Sequence, residues 1–104
     1  MIKIVKTQKR LNTDIPFYED AYDSPAHYKE HVYKNYIRNG KMISTARSLS
    51  EDKLTQTIIM TWDTVDSFLD FCTDDFCINE YISIVSQYEI CNQFEIDISI
   101  DNSN

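Results

Sequence analysis

Along this chain of 104 residues the spacing of apolar side chains switches between two periods, and the order of the switches leaves few folds open. A period of two marks a half-buried strand, and a period of about 3.6 marks an amphipathic helix. Ile2, Ile4 and Val5 begin a strand that is expected to run to about Arg10. Its far end is polar, which suggests exposure or an edge position. Pro16 to Asp23 form a short helix or turn. Ser24-Pro25 then supplies an N-cap and a proline suited to the first helical position. The helix that follows should continue to about Asn39. Gly40, the one glycine in the chain, stands where a left-handed residue closes a helix.

Lys41 to Leu49 reads as a second strand and Leu54 to Trp62 as a third, joined by the polar hairpin loop Ser50-Glu51-Asp52-Lys53. Alternation along the third strand puts Leu54, Gln56, Ile58, Met60 and Trp62 on one face, with Thr55, Thr57, Ile59 and Thr61 on the other. Asp63 or Thr64 caps a helix whose stripe is Val65, Phe68, Leu69 and Cys72. Thr73-Asp74-Asp75 reads as a break and a new cap, followed by the stripe Ile78, Tyr81, Ile82, Val85 and Tyr88. Phe94, Ile96, Ile98 and Ile100 then alternate with acidic and serine residues as a half-buried fourth strand. The order β-α-β-β-α-β is the ferredoxin-like, split βαβ pattern, an α+β fold with a four-stranded antiparallel sheet and helices on one face. Residues 1–100 form this single domain, and 101–104 a polar tail. The core draws on strands three and four and on both helix stripes. The opposite sheet face is rich in threonine and serine, with Ile59, Met42 and either Val5 or Ile4 scattered in it.

A chain this short buries one modest core, and such chains often gain stability by oligomerising. Hydrophobic residues make up 42%, too many for a disordered segment. No apolar run approaches the ~20 residues needed to span a bilayer. The opening MIKIVKTQKR alternates like a strand and has no signal-peptide core, so the cytoplasm is the expected compartment. The net charge of −7 is unevenly spread. Residues 1–50 carry nine Lys/Arg against five acids, a balance of +4; residues 51–104 carry Lys53 against twelve acids, a balance of −11. Such a charge disfavours direct nucleic-acid binding and suits a basic partner. Cys72, Cys77 and Cys91 form neither a C-x-x-C pair nor an even set. Cys72 and Cys77, among Phe71, Phe76 and Ile78, read as reduced small hydrophobes.

The motif HYKEH holds both histidines, His27 and His31. With Val32 at the centre of its helix face and about 100° per residue, Tyr28 and Tyr36 share the apolar side. His27, His31, Lys34 and Arg38 fall on a polar stripe that is read as solvated. The motif is not H-E-x-x-H, and its neighbouring cations disfavour a bound cation. No metal site and no cofactor is assigned.

Two stretches carry a resemblance. One is YIRNGKMIS, Tyr36 to Ser44, where a helix runs into strand two. The other is Trp62 at the end of a strand, followed by DTVDSFLDF, Asp63 to Phe71. With the element order, they make the chain similar to the dimeric α/β-barrel superfamily, especially the antibiotic-biosynthesis-monooxygenase-like proteins. The resemblance implies a homodimer with two sheets packed face to face, and a pocket in each subunit between sheet and helices. It spans cofactor-independent oxygenases, haem-degrading enzymes, small-molecule isomerases and proteins without known chemistry, and fold does not choose among them. The haem-degrading members use a helical histidine that reaches into the pocket, from which this chain departs. The oxygenases use Trp and Asn around an aromatic substrate, and Trp62 matches the first.

The expected site is therefore a pocket lined by Trp62, Phe68, Tyr28, Tyr36 and Tyr81, whose elements enclose one space. It would take a small planar apolar or aromatic molecule, oriented by tyrosine hydroxyls. Binding is expected rather than turnover; an enzyme of this kind would be cofactor-independent and monooxygenase-like or isomerase-like, with any oxygenase activity borrowing its reactivity from the substrate. The alternative is a non-enzymatic acidic protein that docks a basic partner or mimics nucleic acid.

Overall fold

The computed structural model describes residues 1–102. Four strands, β1 (Ile2–Lys9), β2 (Met42–Leu49), β3 (Thr55–Trp62) and β4 (Glu95–Asp101), form one antiparallel sheet in the order β2-β3-β1-β4. That order is the ferredoxin-like one. Between them lie α1 (Tyr18–Ala21), α2 (Ala26–Val32), α3 (Val65–Thr73), α4 (Asp75–Cys77) and α5 (Ser83–Cys91). Two π-helical turns interrupt the helical layer: Tyr33–Ile37 continues α2, and Ile78–Ile82 joins α4 to α5. Among the described residues no helix is long and apolar enough to cross a membrane.

Local chemistry sets the element ends. α2 begins after Pro25, whose carbonyl accepts from the Tyr28 and Lys29 amides, one residue later than the Ser24 cap read from sequence. The helical segment closes at Gly40, with φ +78°. In the β2–β3 hairpin Asp52 Oδ1 accepts from the Leu54 amide and the Ser50 hydroxyl, while Lys53 takes φ 63°. Thr64 caps α3 by accepting from the Ser67 amide at 3.2 Å.

The helices cover one sheet face. There Ile2, Ile4 and Trp62 meet Tyr28, Val32, Tyr36, Phe71 and Cys77. Four expectations change. Strand β1 is central rather than at an edge, and its polar residue Gln8 is buried. Burial is tolerated because Gln8 donates to Glu89 at 2.7 Å and accepts from Gln56 at 2.6 Å. Strand β4 is the edge instead. Its isoleucines face the helix side, in register with Ile4, Lys6 and Gln8, yet Ile96, Ile98 and Ile100 stay exposed. The helical layer does not reach them, so they add little to the core. The buried arc of α3 turns toward Ser67 and Phe71, which leaves Leu69 about half exposed. Ile4 and Met42 join the core side, and Val5 and Ile59 remain on the helix-free face.

Asp101, expected to open the polar tail, is part of the sheet instead. Asp101 ends β4 opposite Lys3, and residues 103–104 lie outside the described part of the chain.

Candidate functional site

The five residues expected to line a pocket all occupy the layer between sheet and helices, in two packed groups. Trp62, at the end of β3, has no exposed surface. Phe68 lies 5.6 Å from its ring, and Tyr36 meets it edge-on at 6.0 Å. Phe71, which the sequence phase of α3 had missed, closes the group at 5.5 Å from both Trp62 and Tyr36. Tyr28 and Tyr81 form the second group, stacked at 5.1 Å with planes 12° apart. Burial raises the phenol pKa of Tyr28 and of Tyr81; for Tyr36, burial is followed by the hydrogen bond to Asp74. All three stay protonated donors. The Trp62 indole N–H is the buried donor left without a partner among the described residues.

Tyr36 links this aromatic layer to a polar cluster at the surface. Its hydroxyl donates to Asp74 Oδ2 at 2.7 Å, and His31 Nε2–H donates to the same oxygen at 2.7 Å. The other carboxylate oxygen, Oδ1, caps α4 by accepting from the Phe76 and Cys77 amides. Burial pushes the Asp74 carboxyl up, but the His31 and Tyr36 hydrogen bonds outweigh it and hold the group at about 2. Burial, then the Asp74 charge, pushes the Cys77 thiol up to about 12. The Phe76 ring stacks on the His31 imidazole at 4.3 Å, and Asn35 Nδ2 donates to its Nδ1 at 3.3 Å.

His31 is therefore not solvated as the helical wheel suggested. Position 31 is about 100° from Val32, a flank rather than the back of the helix. In the fold that flank is covered by α4. His27 does stay exposed, hydrogen-bonded to Glu80 at 2.9 Å. The cap role of Asp74 was legible in sequence; its meeting with His31 and Tyr36 was not.

A second polar cluster lies beneath α5. Glu89, buried, accepts from Lys6 Nζ at 3.0 Å and from Gln8, while Glu19 accepts from the Gln8 and Gln56 amides at 3.3 Å. Two clefts open beside it. One, of about 200 Å³, lies between Arg10, Phe17, Asp20, Arg47, Leu49 and Gln56. Its cations are engaged: Arg10 donates to the Lys53 and Ile15 carbonyls and sits over Phe17, and Arg47 pairs with Asp20. The other, of about 380 Å³, lies between Tyr18, Tyr22, Ile84, Gln87, Tyr88 and the exposed Cys91. Neither is lined by Trp62, Phe68, Tyr28, Tyr36 or Tyr81.

No family model matches the sequence, and no curated protein matches it. Among solved structures the chain is similar to a crystal structure from Deinococcus radiodurans that is described provisionally as an antibiotic biosynthesis monooxygenase. The alignment covers 100% of this chain and 93% of that one, with a TM-score of 0.55 and 9% identity. At that identity the likeness establishes a shared ferredoxin-like fold. It agrees with the fold that the residues of Tyr36 to Ser44 and Trp62 to Phe71 suggested.

Proposed function

We propose that the protein is a homodimer whose subunits each bind a small planar apolar or aromatic molecule between sheet and helices, in the space held by Trp62, Phe68, Tyr28, Tyr36 and Tyr81. The observation that carries this reading is the unpartnered Trp62 N–H. A buried donor without an acceptor costs about 1–3 kcal/mol. A planar ligand with a carbonyl or phenolic oxygen would supply the acceptor and exchange ring contacts for those that the side chains now make with one another. The helical layer is also least regular where this ligand would enter. Tyr36 lies in one π-helical turn and Tyr81 in the other, and such turns are frequent at functional sites. The protonated hydroxyls of Tyr28 and Tyr81 would fix orientation, that of Tyr36 being held by Asp74. If the ligand is oxidised, its own electron-rich ring supplies the reactivity, since the five lining side chains include no ionised base. The solved structure of like fold is described provisionally as an antibiotic biosynthesis monooxygenase, and a like role here would call for a small-molecule substrate.

The test is a thermal-shift screen of planar aromatic ketones, quinones and phenols, followed by fluorescence titration; Trp62 is the one tryptophan, so quenching reports on this space. Binding should raise Tm and quench the emission, and Trp62→Phe should weaken it at least about tenfold, the worth of one lost hydrogen bond. A panel without a single binder, together with a Trp62→Phe protein more stable than the parent, would defeat the reading.

The acidic-docking alternative draws on the −11 balance of residues 51–104. It has less support from the surface, where acids are interleaved with cations: Glu30 with Lys34, Asp70 with Lys41 and Asp20 with Arg47.

A further inference from the structure

We infer that His31, Asp74 and Cys77 form a binding site for one divalent transition-metal ion of the zinc class. The imidazole nitrogen, a carboxylate oxygen and the thiol sulfur lie within 4.8 Å of one another. They are three of the four side-chain donor types that zinc uses, and they come from separate helices, α2 and the capped start of α4. The sequence hides the set, because His31 and Asp74 are 43 positions apart.

The cluster has features that a simple helix cap does not need. Asp74 already completes its capping role with Oδ1, so Oδ2 is the oxygen turned toward His31 and Tyr36. The imidazole ring is fixed by stacking on Phe76, and its Nδ1 has Asn35 beside it. Ligand nitrogen and oxygen atoms around a tetrahedral zinc ion stand roughly 3.3 Å apart, from bonds of about 2.0–2.1 Å. The His31–Asp74 separation of 2.7 Å would thus open by about half an ångström, a side-chain adjustment. His31 and Asp74 keep 26% and 18% of their side-chain surface exposed, so an ion and a bound water can reach the site from solvent.

The protons balance. On metal binding, the Cys77 thiol proton leaves to solvent. The His31 proton moves from Nε2, which takes the metal, to Nδ1, where water accepts the hydrogen bond once Asn35 Nδ2 gives up its long contact there and keeps its bond to the His31 carbonyl. One aspartate and one thiolate then neutralise the doubly charged ion. The three protein donors leave one position open, the arrangement of sites that bind water or substrate.

Cobalt(II) titration of the reduced, chelator-treated protein tests this, with Co²⁺ as the probe. The expected result is one ion per chain, with tetrahedral visible bands and a thiolate-to-cobalt charge-transfer band. Cys77→Ser should remove the charge-transfer band, and His31→Gln should weaken binding at least about tenfold. Cys72→Ser and Cys91→Ser should leave the spectrum unchanged. Zinc at a hundredfold excess over its Kd should raise Tm by roughly 10 °C or more in the parent, and far less in His31→Gln. Two results would overturn the site: no charge-transfer band at large cobalt excess, or a band that survives Cys77→Ser and vanishes with Cys72→Ser or Cys91→Ser. Circular dichroism of all three serine variants shows which keep the parent fold, and a lost band counts only in a variant that does; for Cys77, which is fully buried, His31→Gln supplies the second reading.

Discussion

Gly40 takes φ +78°, and a β-carbon built there would meet nothing within 4 Å. Its role is therefore backbone conformation alone, not close approach. Gly40→Val should destabilise by roughly 1–2 kcal/mol, and Gly40→Asn by less, since asparagine tolerates the left-handed region. Urea unfolding measures both. Lys53 and Gln93 take the same conformation at φ 63° and 59° with a side chain in place. Gln93→Gly should therefore stabilise by about 0.5–1 kcal/mol, less the entropy that glycine loses on folding. The first position was legible, because a lone glycine after a helical run has few other uses; Gln93 gave no signal at all. The histidines separate in the same way. His27→Ala removes an exposed hydrogen bond to Glu80 and should cost within ~0.5 kcal/mol. His31→Ala removes a ring stack on Phe76 and a hydrogen bond to an ionised carboxylate, and should cost about 1.5–3 kcal/mol. Equal costs for the two would place His31 back on the solvated stripe that the helical wheel suggested.

At the scale of elements, strand and helix order were readable because period two and period 3.6 alternate cleanly along this chain. What could not be read was which flank of a helix meets which neighbour. The α3 stripe was centred on Phe68, and a turn of the buried arc toward Phe71 exchanges Leu69 for Phe71 in the core. The isoleucines of β4 alternate as a half-buried strand should, yet stay exposed because the helices lie over the central strands. Gln8, in the polar far end of β1, made that end look like an edge, because sequence does not reveal that it finds Gln56 on β3. Asp74 shows what one residue does for several elements. It ends α3, caps α4, and ties α2 to both through His31 and Tyr36. Losing a cap costs about 0.5–2 kcal/mol, and stranding the partly buried Tyr36 hydroxyl adds about 1 more. Asp74→Ala should therefore lower stability by roughly 1.5–3 kcal/mol, while Asp75→Ala, at an exposed position one residue later, should change it little. Denaturant midpoints for the pair decide whether the cap or only the local charge matters.

The described chain measures 38 × 33 × 18 Å, one sheet and one helical layer thick. The sheet face without helices carries Val5, Thr7, Ala46, Thr57, Ile59, Thr61 and Ser99, with Lys3 and Lys9 on β1 beside Glu95, Asp97 and Asp101 on β4. Two cations against three anions leave this face close to neutral, so a second copy meets little repulsion there. Four strands of about eight residues, spaced about 4.8 Å apart and rising about 3.3 Å per residue, give a flat area of roughly 500 Å². Pleating and side chains bring the accessible area toward the ~800 Å² per partner that stable interfaces bury. The exposed isoleucines Ile96, Ile98 and Ile100 lie on the other face of β4, so the two candidate contact surfaces can be told apart. Ile59, on central strand β3 between Val5 and Ala46, is the residue to change. Light scattering at micromolar concentration should give a dimer mass for the parent. Ile59→Arg should give a monomer with an unchanged circular dichroism spectrum, because the charge would be trapped between sheets only in the dimer. Ile98→Arg should leave the dimer intact. A parent that stays monomeric across the dilution series would defeat face-to-face association, and a dimer lost with Ile98→Arg but kept with Ile59→Arg would move the interface to the edge of β4.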